Sequence, residues 1–404
     1  MSGLSDAAVR LFVTEAGTGS AFLAASVRLS VPAAEAAHSA YGRMAQFLAD
    51  RGMAIVHERI FGSLSAESAV RAARDSLLKS RGISPESPVT YIQGHPHWGE
   101  GLAGVLIQAV AADSSGNAVR IIMDGDIPCG RNWKQQGVSF IVLQNIQPGP
   151  DSASMQASRA LQARFMIERA ERILREQGAA YRNVVRTWFY LSDIMSWYGE
   201  FNKVRNQKYG EFGIMPGPGD TQLLLPASTG IRGETATGAA CAMDLIAVTA
   251  EDGVVPEMLK LTNPVQLDAF RYGSAFSRAA VIYDNLVEVS GTAAIDSHGV
   301  SLLPGDIHGQ IECTLHKIET LLSQKDLSLN DICSATVFVK HPHDAEIFYR
   351  MAATRGLEDL PAVCVVADVC RDELLFEIDA EATIKNRVQG FEGSSGQGFK
   401  EHTK

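Results

Sequence analysis

One order of elements occurs twice in this chain, and that constrains its fold more than any other feature. The stretch "ALQARFMIERAERILREQGAAY" carries apolar residues at helical spacing. It runs into the β-rich "NVVRTWFYLSD" and then a second helical stretch, "SWYGEFNKVRNQKYGEFG". Downstream, "GQIECTLHKIETLLSQKDLSL", "NDICSATVFVKH" and "DAEIFYRMAATRGL" repeat helix, strand and helix. Each copy then reaches a proline and two more strands: "LPASTGIRG" with "ACAMDLIAVTA", and "LPAVCVVADVC" with "ELLFEIDAEA". Val184 and Ile332 hold matching places, 148 positions apart. A period of that length is an internal duplication of a whole α+β unit.

A hairpin is expected before each first helix. The second copy supplies it in "VIYDNLVEVSGTAAIDSHGV", where Asp296 to Gly299 has turn composition. Upstream, "ESAVRAARDSLLKSRGI" reads as helix and "PVTYIQGHPHWGEGLAGVLIQAVAAD" as strand, Gly-rich turn and strand, a third and eroded copy. The expected organisation is a divergent N-terminal unit over residues 1–150, a first clear repeat over 151–255 and a C-terminal repeat over 256–385. A Gly- and Ser-rich tail, 386–404, is expected to be mobile. A unit that cannot cover its own sheet should pack against its siblings, so three of them predict an intrachain pseudo-trimer.

The net charge of −10 gives no reason to expect nucleic acid or an anionic membrane as partner. Cys129, Cys241, Cys313, Cys333, Cys364 and Cys370 are dispersed and form no CxxC pair, which suggests reduced thiols in a cytoplasmic protein. The first residues, "MSGLSDAAVRLFVTEAG", show no export signal, and no apolar run is long enough to span a bilayer.

The C-terminal copy resembles the YjgF/Rid family in "AFSRAA", in "SGTAAID", in its helix–strand–helix core and in the closing "LFEID". That resemblance implies a chorismate-mutase-like α+β fold with ligand clefts between units. It puts Glu377 in such a cleft, lined also by Ser290 and Gly291. Rid deaminases carry an arginine two residues after the proline, where this chain has Ser228 and Val363. A longer resemblance, from about Pro88 to Glu381, is to the chorismatases, which fuse Rid-like units in one polypeptide. "YIQGHPHWGEGLAGV", "CGRNWKQQG", "VVRTWFYLSDIMSWYGEFNKVRN", "LPASTGIRG", "SGTAAID" and "ADVCRDELLFEID" carry it, in that order. It implies release of pyruvate from chorismate for secondary metabolism, leaving 3-hydroxybenzoate in one subgroup and a dihydroxycyclohexadiene carboxylate in another. An imine or enamine deaminase, or a non-catalytic small-molecule-binding protein on the same scaffold, are the alternative readings.

Cleaving an enol ether requires protonating its methylene carbon, and at neutral pH that calls for an acid held protonated. Glu377, on an alternating strand and facing a partly dry cleft, meets the need through desolvation. Cys370 has no histidine partner in local sequence, so a nucleophilic thiolate is not indicated. The resemblance makes this position, and Ala279, determinants of the product. Cysteine at 370 resembles the 3-hydroxybenzoate formers, whereas those tend to have glycine where Ala279 stands.

The substrate's carboxylates call for guanidinium groups. Arg186, Trp188 and Tyr190 share one strand face, which suits a carboxylate clamp or an inter-unit salt bridge. Arg131 and Arg205 are the next candidates, and Tyr198 could donate a phenolic hydrogen bond or pack a helix. His95 and His97 lack a clear third ligand, which disfavours a metal site. "GEGLAG" lacks the strand–helix setting of a nucleotide loop, and "SGTAAID" that of a nucleophile elbow. Carbon protonation by one acid needs no cofactor, and none is expected.

Overall fold

The computed structural model describes residues 8–17, 19–112, 118–135, 137–149, 151–217, 223–250, 273–282, 286–383 and 385–386. Its first unit runs β1 (Val9–Ala16), β2 (Ser20–Val27), α1 (Ala33–Asp50), β3 (Met53–Gly62), α2 (Glu67–Ser80), β4 (Thr90–Gln93) and β5 (Leu102–Ala111). The second runs β6 (Arg120–Asp124), β7 (Ile127–Gln135), β8 (Val138–Ile146), α3 (Ser152–Gln156), α4 (Arg159–Glu176), β9 (Val184–Leu191), α5 (Tyr198–Glu211), β10 (Ala227–Arg232) and β11 (Cys241–Ala250). The third runs β12 (Ala279–Ile282), β13 (Leu286–Ala293), α6 (Ile307–Ser323), β14 (Ile332–Val339), α7 (Asp344–Thr354), β15 (Ala362–Val366) and β16 (Phe376–Thr383). A short β17 (Lys385–Asn386) returns to pair with β1.

The strand orders are β17-β1-β2-β5-β3-β4, β10-β9-β11-β8-β7-β6 and β12-β13-β16-β14-β15. Apart from the added edges β17 and β6, the three sheets share one topology: a hairpin, a central last strand, and a parallel third and fourth pair. The fold is α+β, built of tandem YjgF-like units. The N-terminal copy, barely visible in the sequence, is a complete unit.

Two expectations shift. Strands β6 to β8 hydrogen-bond into the second sheet, so that unit begins well before residue 150. The Asp296–Gly299 turn forms, with Gly299 N donating to Asp296 O, but it follows β13 rather than linking the hairpin. The β12–β13 link, 283–285, lies outside the described residues, as does the tail beyond Asn386.

Each sheet turns one face to its helices. On α4, Ala163, Met166, Ile167, Ala170, Ile173 and Leu174 form the buried stripe, and Ile311, Leu315, Ile318 and Leu322 do so on α6. The other faces meet in a shared core that includes Phe61, Trp188 and Phe338, one from each unit. Covered on both faces, every residue of β9 and β14 is buried. Charges inside this core are paired across units, Arg59 with Glu381 at 3.1 Å and Arg186 with Asp379 at 3.2 Å. At one end, the fourth strands are stitched in a ring. Gln93 N donates to Glu234 O, Arg232 N to Asp368 O and Val366 N to His95 O, at 2.8–3.0 Å. Among the described residues no helix is long and apolar enough to cross a membrane.

Candidate active site

A narrow, partly enclosed cleft lies between the second and third units. The second unit lines it with Tyr198 and Arg205 from α5 and with Ser228 and Gly230 from β10. The third contributes Arg278, Gly291 and Glu377, and from the segment between β15 and β16, Cys370 and Arg371.

Gly230 on β10 leaves room for the Tyr198 ring, which a Cβ there would meet at 3.3 Å. The other two inter-unit seams are filled, with Ile92 packed over Gly233, and Val363 and Val365 over Gly104 and Gly94. The acid is also confined to this seam. Glu377 pairs with Phe338 on the neighbouring strand, whereas the matching partners of Tyr190 and Phe61 are Ala242 and Gly104.

Glu377 is 4% exposed and is held by pairing on both sides, with Ala293 on β13 and Phe338 on β14. Burial, and then the Asp379 carboxylate two residues along the strand, push its carboxyl up to about 8; Arg278 and Arg186 oppose them. A Cβ on Gly291 would lie 3.1 Å from Glu377 Cδ and closer still to Oε1, so the glycine makes room for the acid. The Gly291 amide is turned to Thr229 Oγ1 at 3.1 Å.

Two guanidinium groups flank the Phe276 ring, with Arg278 Cζ 5.3 Å and Arg205 Cζ 5.7 Å from its centroid. Arg205 donates to Asn202 Oδ1 at 2.7 Å, while its buried Nε has no hydrogen-bond partner among the described residues. Arg371 donates to Gly299 O at 2.7 Å and so fixes the mouth of the cleft. Burial, and then Glu377, push the Cys370 thiol up to about 12, which keeps it protonated at neutral pH. Burial, and then Cys370, push the Tyr198 phenol up to about 12.

Of the residues singled out from sequence, Glu377, Cys370, Arg205, Tyr198 and Gly291 converge on the cleft. The others do not line it. Arg186 is sealed in the central core, where it donates to Thr229 Oγ1 at 2.8 Å and to Asp379 Oδ2, and its Nε lies 3.5 Å from Glu288. Its strand face meets the third unit, which makes it the inter-unit ion pair rather than a substrate clamp. Tyr190, on the same face, meets the Phe61 ring edge-on at 6.5 Å. Arg131 bonds Gln144, which in turn donates to Glu58 O across the first seam. Ala279 faces the core beneath α6. The Ser290 hydroxyl is consumed by Ser228 N and Ser277 O, stitching the two units behind the cleft.

Sequence reasoning missed Arg278. Alternation could have found it: Ala279 and Val281 face the helices, so Arg278 and Ala280 face the neighbouring unit. Among the described residues no three His, Cys, Asp or Glu side chains gather as metal ligands.

The family model described as Endoribonuclease L-PSP matches residues 267–384. A curated 3-hydroxybenzoate synthase from Streptomyces hygroscopicus is 26% identical over 237 residues, covering 51% of this chain and 65% of the relative. The match thus spans a little under two thirds of the relative's length. A solved structure described as a chorismatase superposes with a TM-score of 0.57 at 21% identity, over 82% of this chain and 93% of that one. At that identity the superposition speaks for the fold.

Proposed function

For a chain of the chorismatase family, built of YjgF-like units, we propose that the cleft removes pyruvate from chorismate and that 3-hydroxybenzoate is the other product. One observation carries the reading: a carboxyl buried until it stays protonated at neutral pH, Glu377, beside the guanidinium groups of Arg205 and Arg278. A dianionic enol ether needs that combination. Arg205 and Arg278 bind the carboxylates, as planar donors do best. Glu377 delivers its proton to the methylene carbon of the enolpyruvyl group. The bond between the ring and the ether oxygen then breaks, its electron pair staying on that oxygen, which leaves as the keto oxygen of pyruvate. The adjacent ring hydroxyl oxygen moves to the vacated ring carbon, and the ring gives up one proton, balancing the one delivered, to become aromatic.

Chorismate has the atoms of pyruvate plus 3-hydroxybenzoate, so this outcome consumes no water; the dihydroxycyclohexadiene carboxylate would require one. Two observations favour the aromatic product. Cys370 lines the cleft near Glu377, whereas Ala279, which pointed the other way, is turned into the core. The similarity to a 3-hydroxybenzoate synthase agrees. A deaminase is disfavoured because the position after the proline that faces this cleft is Ser228, which brings no guanidinium.

The test is to incubate the purified chain with chorismate in the presence of a chelator, and to measure released pyruvate and the aromatic acid. Pyruvate with 3-hydroxybenzoate is the expected result. Tight binding without release would favour a binding protein. Neither binding nor release would overturn the assignment.

A further inference from the structure

Gln310 lies in the first turn of α6, fully buried, and its carboxamide makes hydrogen bonds with four backbone groups. Nε2 donates to Glu373 O at 2.8 Å and shares its second hydrogen between Leu303 O at 3.1 Å and Leu302 O at 3.2 Å, and Oε1 accepts from Leu375 N at 2.7 Å. The first two acceptors belong to the segment after β13, whose Gly299 carbonyl and Ser301 hydroxyl accept from Arg371. The other two groups belong to the segment that carries Cys370 and Arg371 into β16. One side chain therefore joins two segments of the third unit beside the cleft mouth. Leu303 is held at φ 53, a left-handed conformation that leucine rarely adopts.

The second unit contains the same device without the cleft. Gln162, in the first turn of α4, accepts from Ala240 N at 2.8 Å and donates to Met155 O and Ala157 O at 3.0 Å. Ala240 precedes β11 as Leu375 precedes β16. The segment Gln162 holds, between β10 and β11, does not line the cleft. The repeat thus supplies an internal control that separates tying a loop from shaping a site.

We propose that Gln310 is a positioning residue for substrate binding, setting the mouth segment so that Arg371 and Cys370 face the bound anion. The proposal rests on the reaction proposed above. Glu377 is held on β16 by strands on both sides and does not depend on Gln310. Losing the carboxamide should therefore act on KM rather than on kcat.

The experiment compares Gln310→Met with Gln162→Met, each replacing an amide by an apolar chain of similar length. Gln310→Met should raise KM for chorismate by about tenfold or more with kcat within about threefold, as expected when binding interactions are lost. Gln162→Met should lower the melting temperature and leave KM unchanged. An unchanged KM in Gln310→Met, with stability lost as in Gln162→Met, would reduce Gln310 to scaffold. Should Gln310→Met not fold, Gln310→Asn keeps the amide but shortens its reach, and the same rise in KM is expected. Amide hydrogen exchange reads the positioning without any substrate. Residues 370–375 should exchange about tenfold faster or more in the Gln310 variant and as in wild type in the Gln162 variant. Unchanged exchange there would overturn the proposal, whereas a wild type that releases no pyruvate would overturn only the reaction.

Discussion

The Glu377 carboxyl occupies the space that a side chain on Gly291 would fill. The two residues sit on neighbouring strands, β16 and β13, where the register shifts between Val289 and Thr292. That irregularity brings a backbone without Cβ against the acid and leaves the carboxyl facing Arg278 and the cleft.

Gly291→Ala should therefore displace the acid without unfolding the unit. Ser290 still bridges Ser228 and Ser277, and position 291 is not among the left-handed ones. A displacement near 1 Å costs roughly 10²-fold in rate, and kcat/KM for pyruvate release should fall by about that factor. Combining it with Glu377→Gln should cost little more than Glu377→Gln alone, because both remove one function. Fully additive losses in the double variant would separate the two residues.

Glu377→Gln keeps size and hydrogen bonding but has no acidic proton, so turnover should drop by about two to four orders of magnitude while substrate still binds. The pH dependence has a definite sign. The donor works only while protonated, so the wild-type rate should hold below pH 8 and fall above it, since burial and Asp379 raise this carboxyl from 4.5 to about 8. A rate lost near pH 4.5 would mean an ordinary, solvated carboxylate and a different acid.

The same shift links stability to pH. Folding favours the protonated form of Glu377, so its stabilising contribution is complete below 4.5 and is lost as pH rises to about 8. Above that, the wild type buries a charge that Glu377→Gln does not carry. The melting temperature of Glu377→Gln relative to wild type should therefore climb between pH 5 and 9. A flat difference across that range would show that the carboxyl is not buried in solution.

Much of the fold was legible because each unit writes its helices and strands locally. The apolar stripe of α4 and the β-rich run of β9 need no knowledge of their neighbours. The face shared by Arg186, Trp188 and Tyr190 was legible too. What it touches was not, because alternation fixes which residues point together and not whether a cleft or another sheet lies opposite. Here another sheet does: Asp379 accepts from both Arg186 and Trp188. Glu377 could be singled out through the resemblance. Alternation gives the side to which Arg278 points, and the docking of β10 and α5 makes that side a cleft. The boundary of the second unit was hidden because the β6–β8 strands join their sheet only where β8 meets β11, with α4 and α5 between them in sequence.

The arginines give the sharpest division between site and scaffold. Arg205 and Arg278 face the cleft, and Arg186 faces Asp379 and Glu288 in the core. Arg205→Met or Arg278→Met should keep the fold and weaken kcat/KM, by about 2–5 kcal/mol if each binds a desolvated carboxylate. Arg186→Met should instead remove the ion-pair partner of Asp379. Breaking a buried pair in that way costs on the order of 3–5 kcal/mol of stability. Chemical denaturation and steady-state kinetics on the three variants would read the two effects separately. If Arg186→Met folds with wild-type stability but loses substrate affinity, the guanidinium reaches the cleft after all. If Arg205→Met and Arg278→Met turn over chorismate normally, the anion is bound elsewhere.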